Sequence, residues 1–89
     1  MFPKVTLYTK SCCPYCARAK ALLQQRGVSI EDIEITDDPV LTTEMEQRSG
    51  RRTVPQIFVG DVHVGGARDL FALEAAGRLD PLLQTERAA

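Results

Sequence analysis

Apolar and polar positions alternate at the start of the chain. Val5 and Leu7 point one way and Thr6 and Tyr8 the other, so residues 4–9 read as a strand. The period then lengthens. Tyr15, Ala19, Leu22 and Leu23 lie at helical offsets, with Pro14 at the first position and Gly27 just past the end. Residues 28–35 return to strand character, but the apolar phase slips between Ile30 and Ile33, which predicts a bulge or an early strand end. Asp37-Asp38-Pro39 opens a second helix carrying Leu41 and Met45 and closed by Gly50. Two short apolar runs, 56–59 and 62–64, flank Gly60-Asp61 and predict a tight hairpin. Gly65-Gly66 leads into a helix over 67–76 with Leu70, Phe71 and Leu73 apolar, and Asp80-Pro81-Leu82-Leu83 starts a last short helix. Met45 and Phe71 read as core, and His63 as a surface strand residue.

The order strand, helix, strand, helix, strand, strand, helix predicts an α/β fold. One βαβ unit leads into a central four-stranded mixed sheet with helices on both faces. A length of 89 residues fits one domain over 1–89, with a core over about 4–83, and 44% hydrophobic residues suffices for it. No stretch is long and apolar enough to cross a bilayer, and the start lacks a secretory pattern. An odd count of three cysteines, with no export signal, argues against a structural disulfide framework, so a reducing, cytoplasmic setting is expected.

A net charge of −1 excludes bulk affinity for nucleic acid or membrane. Its distribution is uneven. Seven acids and no Lys or Arg fall between residues 31 and 46, whereas Lys10, Arg18, Lys20 and Arg26 face no acid between 10 and 26. Arg48, Arg51 and Arg52 form a second basic group. These are either solvated faces of opposite sign or a small anion site beside the cysteines.

The chemistry concentrates in Cys12-Cys13-Pro14-Tyr15-Cys16. The predicted helix puts Cys13 at its N-cap and Cys16 one turn in. Pro14 has no N–H, while the amides of Tyr15 and Cys16 lack intrahelical partners and can donate to a Cys13 thiolate at the positive end of the dipole. Thiols so placed titrate at about 3.5–7.5 instead of about 8.5. A fall to about 5 raises the thiolate fraction at neutral pH roughly 30-fold, and the accompanying loss of nucleophilicity cancels most of that. The net gain is on departure, which suits thiol–disulfide exchange.

Other uses of these sulfurs fit less well. A structural zinc site takes four Cys or His ligands, and here three sulfurs stand with a single His63 in a predicted strand. A heavy-metal transfer domain also carries Cys-x-x-Cys at a strand-to-helix junction, but its usual Met- or His-led opening is absent. Inert buried cysteines would leave Pro14 and the N-cap placement unexplained.

Cys13-Pro14-Tyr15-Cys16 at the first strand-to-helix junction, Thr53-Val54-Pro55 before a strand, and Gly65-Gly66-Ala67-Arg68-Asp69 at the last main helix together resemble the dithiol glutaredoxins of the thioredoxin-like fold. The likeness spans about residues 4–83. It implies a glutathione-dependent thiol–disulfide oxidoreductase, with Cys13 as nucleophile and Cys16 as resolving thiol. Glutathione would serve as co-substrate, with no bound cofactor or metal. The glutathione site implied is Lys10, Tyr15, Arg52, Thr53, Val54, Pro55, Gly66, Arg68 and Asp69. Within it Pro55 would be cis, with the Val54 backbone offered to an extended peptide. The amides after Gly65-Gly66 would take one carboxylate, Asp69 the ammonium, and Lys10 with Arg51 or Arg52 the other carboxylate.

Two features depart from the family. Arg68 stands where members often carry an acid, and Cys12 is an extra thiol, read as a bystander with glutathionylation or a regulatory disulfide as the alternatives. The implied partners are glutathione and glutathionylated or disulfide-containing proteins, ribonucleotide reductase being an acceptor for some relatives, and the chain would be a monomer. Two other functions stay open: a thioredoxin-like reductase fed by a flavoprotein, and a glutathione-ligated iron–sulfur carrier.

Overall fold

The computed structural model describes residues 4–87. The elements run β1 (Val5–Thr9), α1 (Pro14–Gln25), β2 (Ile30–Glu34), α2 (Pro39–Ser49), β3 (Gln56–Val59), β4 (Val62–Gly65), α3 (Ala67–Ala75) and α4 (Leu79–Arg87). The strands form one mixed sheet in the order β2-β1-β3-β4, parallel between β1 and β2 and antiparallel elsewhere. Helix ends follow local chemistry. Asp38 caps α2 by accepting the Leu41 amide at 3.0 Å, and Gly50 closes it at φ 71°.

The sheet is covered on both faces. Val5, Leu7, Ile57 and Val59 meet Ala19 and Leu23 of α1, Leu70 of α3, and Leu79 and Leu83 of α4. On the other face Tyr8 and Phe58 meet Met45 of α2 and Ile35. Central β1 is therefore buried along its whole length, including Thr6 and Tyr8. The Tyr8 ring lies edge-on to Phe58, and its hydroxyl donates to Glu44 at 2.6 Å and accepts from Arg48 at 2.7 Å. The Arg48 guanidinium sits 4.3 Å from the Phe58 ring centre, so this arginine is engaged in the fold and not free for an anion site.

The chain departs from its own pattern in four places. No bulge interrupts β2, which pairs with β1 in unbroken register from Val5↔Ile30 to Thr9↔Glu34. The phase slip has another cause: Ile30 packs into one core and Ile33 into the other, on opposite faces of an edge strand. The irregularity lies instead in the hairpin, between Ile57 and Phe58. On α1 the core-facing residues are Cys16, Ala19 and Leu23, while Tyr15 is 60% exposed. Phe71 is only half-buried and belongs to neither core, and His63 is half-buried rather than a free surface residue.

If β2 serves both faces, Ile30→Ala and Ile33→Ala should each destabilise by about 1–3 kcal/mol in urea unfolding. Val40→Ala, at a 77% exposed position, should stay within about 0.5 kcal/mol. A neutral result at Ile30 or Ile33 would show that only one face is packed there.

Candidate active site

Residues 10–13 join β1 to α1. The Ser11 amide donates to Thr36 Oγ1 at 2.9 Å, which ties the loop to the β2–α2 connection. Cys12 then takes a left-handed conformation at φ 59°, and the chain leaves it in the extended geometry of an N-cap at Cys13. Pro14 fills the first helical position, where a missing N–H removes nothing from the helix ladder. The Cys16 amide donates to the Cys13 sulfur at 3.3 Å, and no acidic side chain occupies the first turn. The sulfur thus sits at a helix N-terminus whose partial positive charge favours an anion.

The two thiols are unequal. Cys13 is half-buried, whereas Cys16 is only 4% exposed. Burial pushes the Cys16 thiol up to about 12, helped by hydrogen bonding to Cys13 and by the charges of Cys13 and Asp32, with the Lys10 backbone acting in the opposite direction. Cys16 therefore stays protonated around neutral pH. All three cysteines are free, and Cys12 is exposed. Among the described residues no group of three His, Cys, Asp or Glu is arranged to hold a metal ion.

Two recesses flank the cysteine turn. One, of about 470 Å³, is lined by Lys10, Cys12, Cys13, Pro14 and Cys16 together with Thr9, Ala17, Lys20, Asp32 and Glu34. Asp32 accepts from Thr9 at 2.6 Å and from Lys20 at 2.7 Å. Burial opposes its charge, but these two bonds outweigh it and hold the carboxyl below its ordinary value. Motif spacing gives no hint of Asp32. The signal that does is period two from Ile30, which places Asp32 on the α1 face of β2.

The other recess, of about 600 Å³, is a groove lined by Tyr15, Arg51, Thr53, Val54, Pro55, Gly66, Ala67, Arg68 and Asp69. Seven of the nine residues implied for a glutathione site thus share one groove; Lys10 lines the recess on the cysteine side, and Arg52 is exposed outside both. The Val54–Pro55 bond is cis.

Asp69, in the first turn of α3, accepts from Arg51 Nη1 at 2.7 Å and from the Gly66 amide at 2.9 Å. The Arg51 bond, followed by the Gly66 amide, holds its carboxyl below the usual range. Gly65 makes room for this: at φ 118° it suits glycine, and a Cβ there would run into the Asp69 carboxylate. Beneath the groove, buried Gln56 donates to the Thr53 carbonyl and hydroxyl at 3.0 and 3.1 Å, and its oxygen faces His63 Nε2 at 2.8 Å. Burial, then the Arg51 charge, lower the His63 pKa against the opposing effect of Asp69.

The chain matches the glutaredoxin family model over residues 5–64. It is 55% identical to glutaredoxin 3 of Escherichia coli strain K12 over 80 residues, which is 90% of this chain and 96% of the relative. The solution structure of glutaredoxin from Brucella melitensis is similar at a TM-score of 0.82 and 55% identity, covering 94% of this chain and 91% of that one. A buckwheat glutaredoxin–glutathione complex is similar at a TM-score of 0.83 and 32% identity, covering 98% of this chain and 81% of that one.

The burial and coupling of Cys16 predict that iodoacetamide at neutral pH alkylates Cys13 in the native protein and leaves Cys16 unmodified, read by mass spectrometry. In Cys13→Ser two of the raising influences disappear, so the Cys16 titration followed by ultraviolet absorbance should move down from about 12. An unmoved midpoint would show that the sulfurs do not interact.

Proposed function

The chain belongs to the glutaredoxin family and is a thiol–disulfide oxidoreductase; from that premise we propose that it reduces protein–glutathione mixed disulfides with Cys13 alone and protein disulfides with Cys13 and Cys16 together. The observation that carries this reading is the Cys13 sulfur at the α1 N-cap, half-open to solvent and accepting the Cys16 amide.

In the first reaction the Cys13 thiolate attacks the glutathione sulfur of a mixed disulfide. A Cys13–glutathione disulfide forms, and the client sulfur departs and takes up a proton. A second glutathione thiolate attacks the glutathione sulfur of that adduct. Glutathione disulfide leaves, and Cys13 returns to its capping position as the leaving thiolate, where the Cys16 amide meets it.

In the second reaction Cys13 opens a client disulfide and is held in a mixed disulfide. Its charge is then gone, and with it two of the influences that keep Cys16 protonated. Cys16 gives up its proton and attacks the Cys13 sulfur, releasing the client dithiol. Two glutathiones reduce the resulting Cys13–Cys16 disulfide. The buried Cys16 thiol thus loses its proton more readily once Cys13 is engaged, the departing client sulfur taking up a proton in turn.

The groove supports glutathione as the co-substrate, and so does the glutathione-bound state of the buckwheat relative. Tyr15 and Arg51 border it together with the N-terminus of α3, whose N-cap Gly66 has no side chain to cover the amides beyond it. Electron delivery to disulfide-containing clients in the cytoplasm follows from this reading, with glutathione-supported turnover separating it from a flavoprotein-fed reductase.

Cys13→Ser should abolish glutathione-driven reduction of a glutathionylated peptide, while Cys16→Ser keeps most of it and loses reduction of a protein disulfide. Equal tolerance of both replacements would refute the assignment. Within the groove, Arg51→Ala should raise the KM for the mixed disulfide about tenfold. Arg52→Ala should change it by less than about twofold. The reverse ranking would move the anion contact out of the groove.

A further inference from the structure

Gln56 and His63 lie behind the groove and touch none of the sulfurs, yet their hydrogen bonds form one directed chain that ends on the groove wall. Gln56 is fully buried at the start of β3. Its amide nitrogen has two hydrogens, and both Thr53 acceptors lie within reach of it. With the nitrogen so used, the Gln56 oxygen is an acceptor, and the facing His63 Nε2 must carry the proton. His63 is held in that orientation by stacking on Phe58, with ring centres 4.9 Å apart and planes inclined by 29°.

The consequence appears one bond further on. The Thr53 carbonyl and the Val54 N–H belong to the same peptide unit, which is planar and trans, so they point in opposite directions. Drawing the Thr53 carbonyl inward onto Gln56 turns the Val54 N–H outward. Among the described residues that N–H has no acceptor, and Val54 lines the groove. We propose that Gln56 and His63 are positioning residues that fix the direction in which the Val54 amide is presented to a bound thiol peptide. The inference rests on the glutathione-dependent reading above for its ligand, and on the hydrogen-bond chain alone for its mechanism.

A lost positioning contact weakens binding in the ground state and transition state alike, so it should move KM and leave kcat in place. For His63→Leu, which removes the donor to Gln56, the KM for a glutathionylated peptide should rise about fivefold or more. His63→Gln, whose side-chain amide can donate in place of the imidazole, should recover most of that loss. Folding of each variant is checked by its urea midpoint.

The wild-type protein supplies a test independent of any variant: nitrogen NMR of the imidazole should show His63 protonated at Nε2. An Nδ1-protonated neutral ring would overturn the proposal, as would a folded His63→Leu with unchanged KM or with its defect confined to kcat. Absence of glutathione-driven turnover in the wild-type protein would sink the functional reading alone. The tautomer, and a Val54 amide resonance that shifts in His63→Leu and returns in His63→Gln, would still decide the relay.

Discussion

The contact from the Cys16 amide to the Cys13 sulfur organises the chemistry of this protein, and it exists because three neighbouring residues accept unusual tasks. Cys12 adopts a left-handed turn, Cys13 breaks helical geometry to cap, and Pro14 begins the helix without needing an N–H partner. A hydrogen bond of this type to a charged group contributes about 1.5–3 kcal/mol. It acts on the anion and hardly at all on the disulfide form. The favoured event is therefore departure of the Cys13 sulfur, the step on which the proposed turnover ends. Because the donor of this bond is the amide of the second cysteine, one helical turn holds both thiols.

Topology brings the remaining parts to that turn. β1 and β3 are antiparallel, so the end of β1, which leads into the cysteine loop, lies beside the start of β3, which follows Pro55. β3 and β4 are also antiparallel, and Gly65 pairs with Ile57. The cysteine loop, the Thr53–Val54–Pro55 segment and the head of α3 therefore converge at one end of the sheet. Gly66 lies against this segment, where even a Cβ would come no closer than 3.4 Å to the Pro55 carbonyl oxygen. The buried central strand, fixed from both faces, keeps these segments in register.

Much of this was legible in the sequence, for reasons particular to each element. Pro14 and Gly27 bracket α1, and Asp38 and Gly50 bracket α2, because caps are local chemistry. Cys13 and Cys16 could be placed because N-cap geometry follows from the helix start. What depends on three-dimensional neighbours was less visible. The polar-looking positions of β1 are core because a second layer of helix covers them, which alternation within one strand cannot report. Tyr15 sits at a helical spacing from Ala19, but rotation of α1 about its axis gives the inward place to Cys16. The choice between Arg51 and Arg52 depends on which side chain turns toward Asp69, and adjacent residues with equal charge carry no signal for that. Gln56 and His63 looked like ordinary strand residues because their link runs across a hairpin.

Charge shows why a count of basic residues overstates an anion site. Of the cations that looked clustered, Lys20 is taken by Asp32, and Arg26 by Glu74 and Asp80. Arg48 is taken by Tyr8 and Phe58, and Arg51 by Asp69. In the groove the last of these pairs is instructive. A ligand bearing both a carboxylate and an ammonium meets an arginine and an aspartate already joined to each other. Exposed ion pairs contribute only about 0–1 kcal/mol, so opening this one costs little, and each partner then gains an opposite charge on the ligand. A purely anionic ligand would engage Arg51 while leaving Asp69 to repel it. On the proposed reading the pre-formed Arg51–Asp69 pair thus suits a zwitterionic thiol better than a simple anion, and Arg68 stands beside Asp69 in the same first turn of α3.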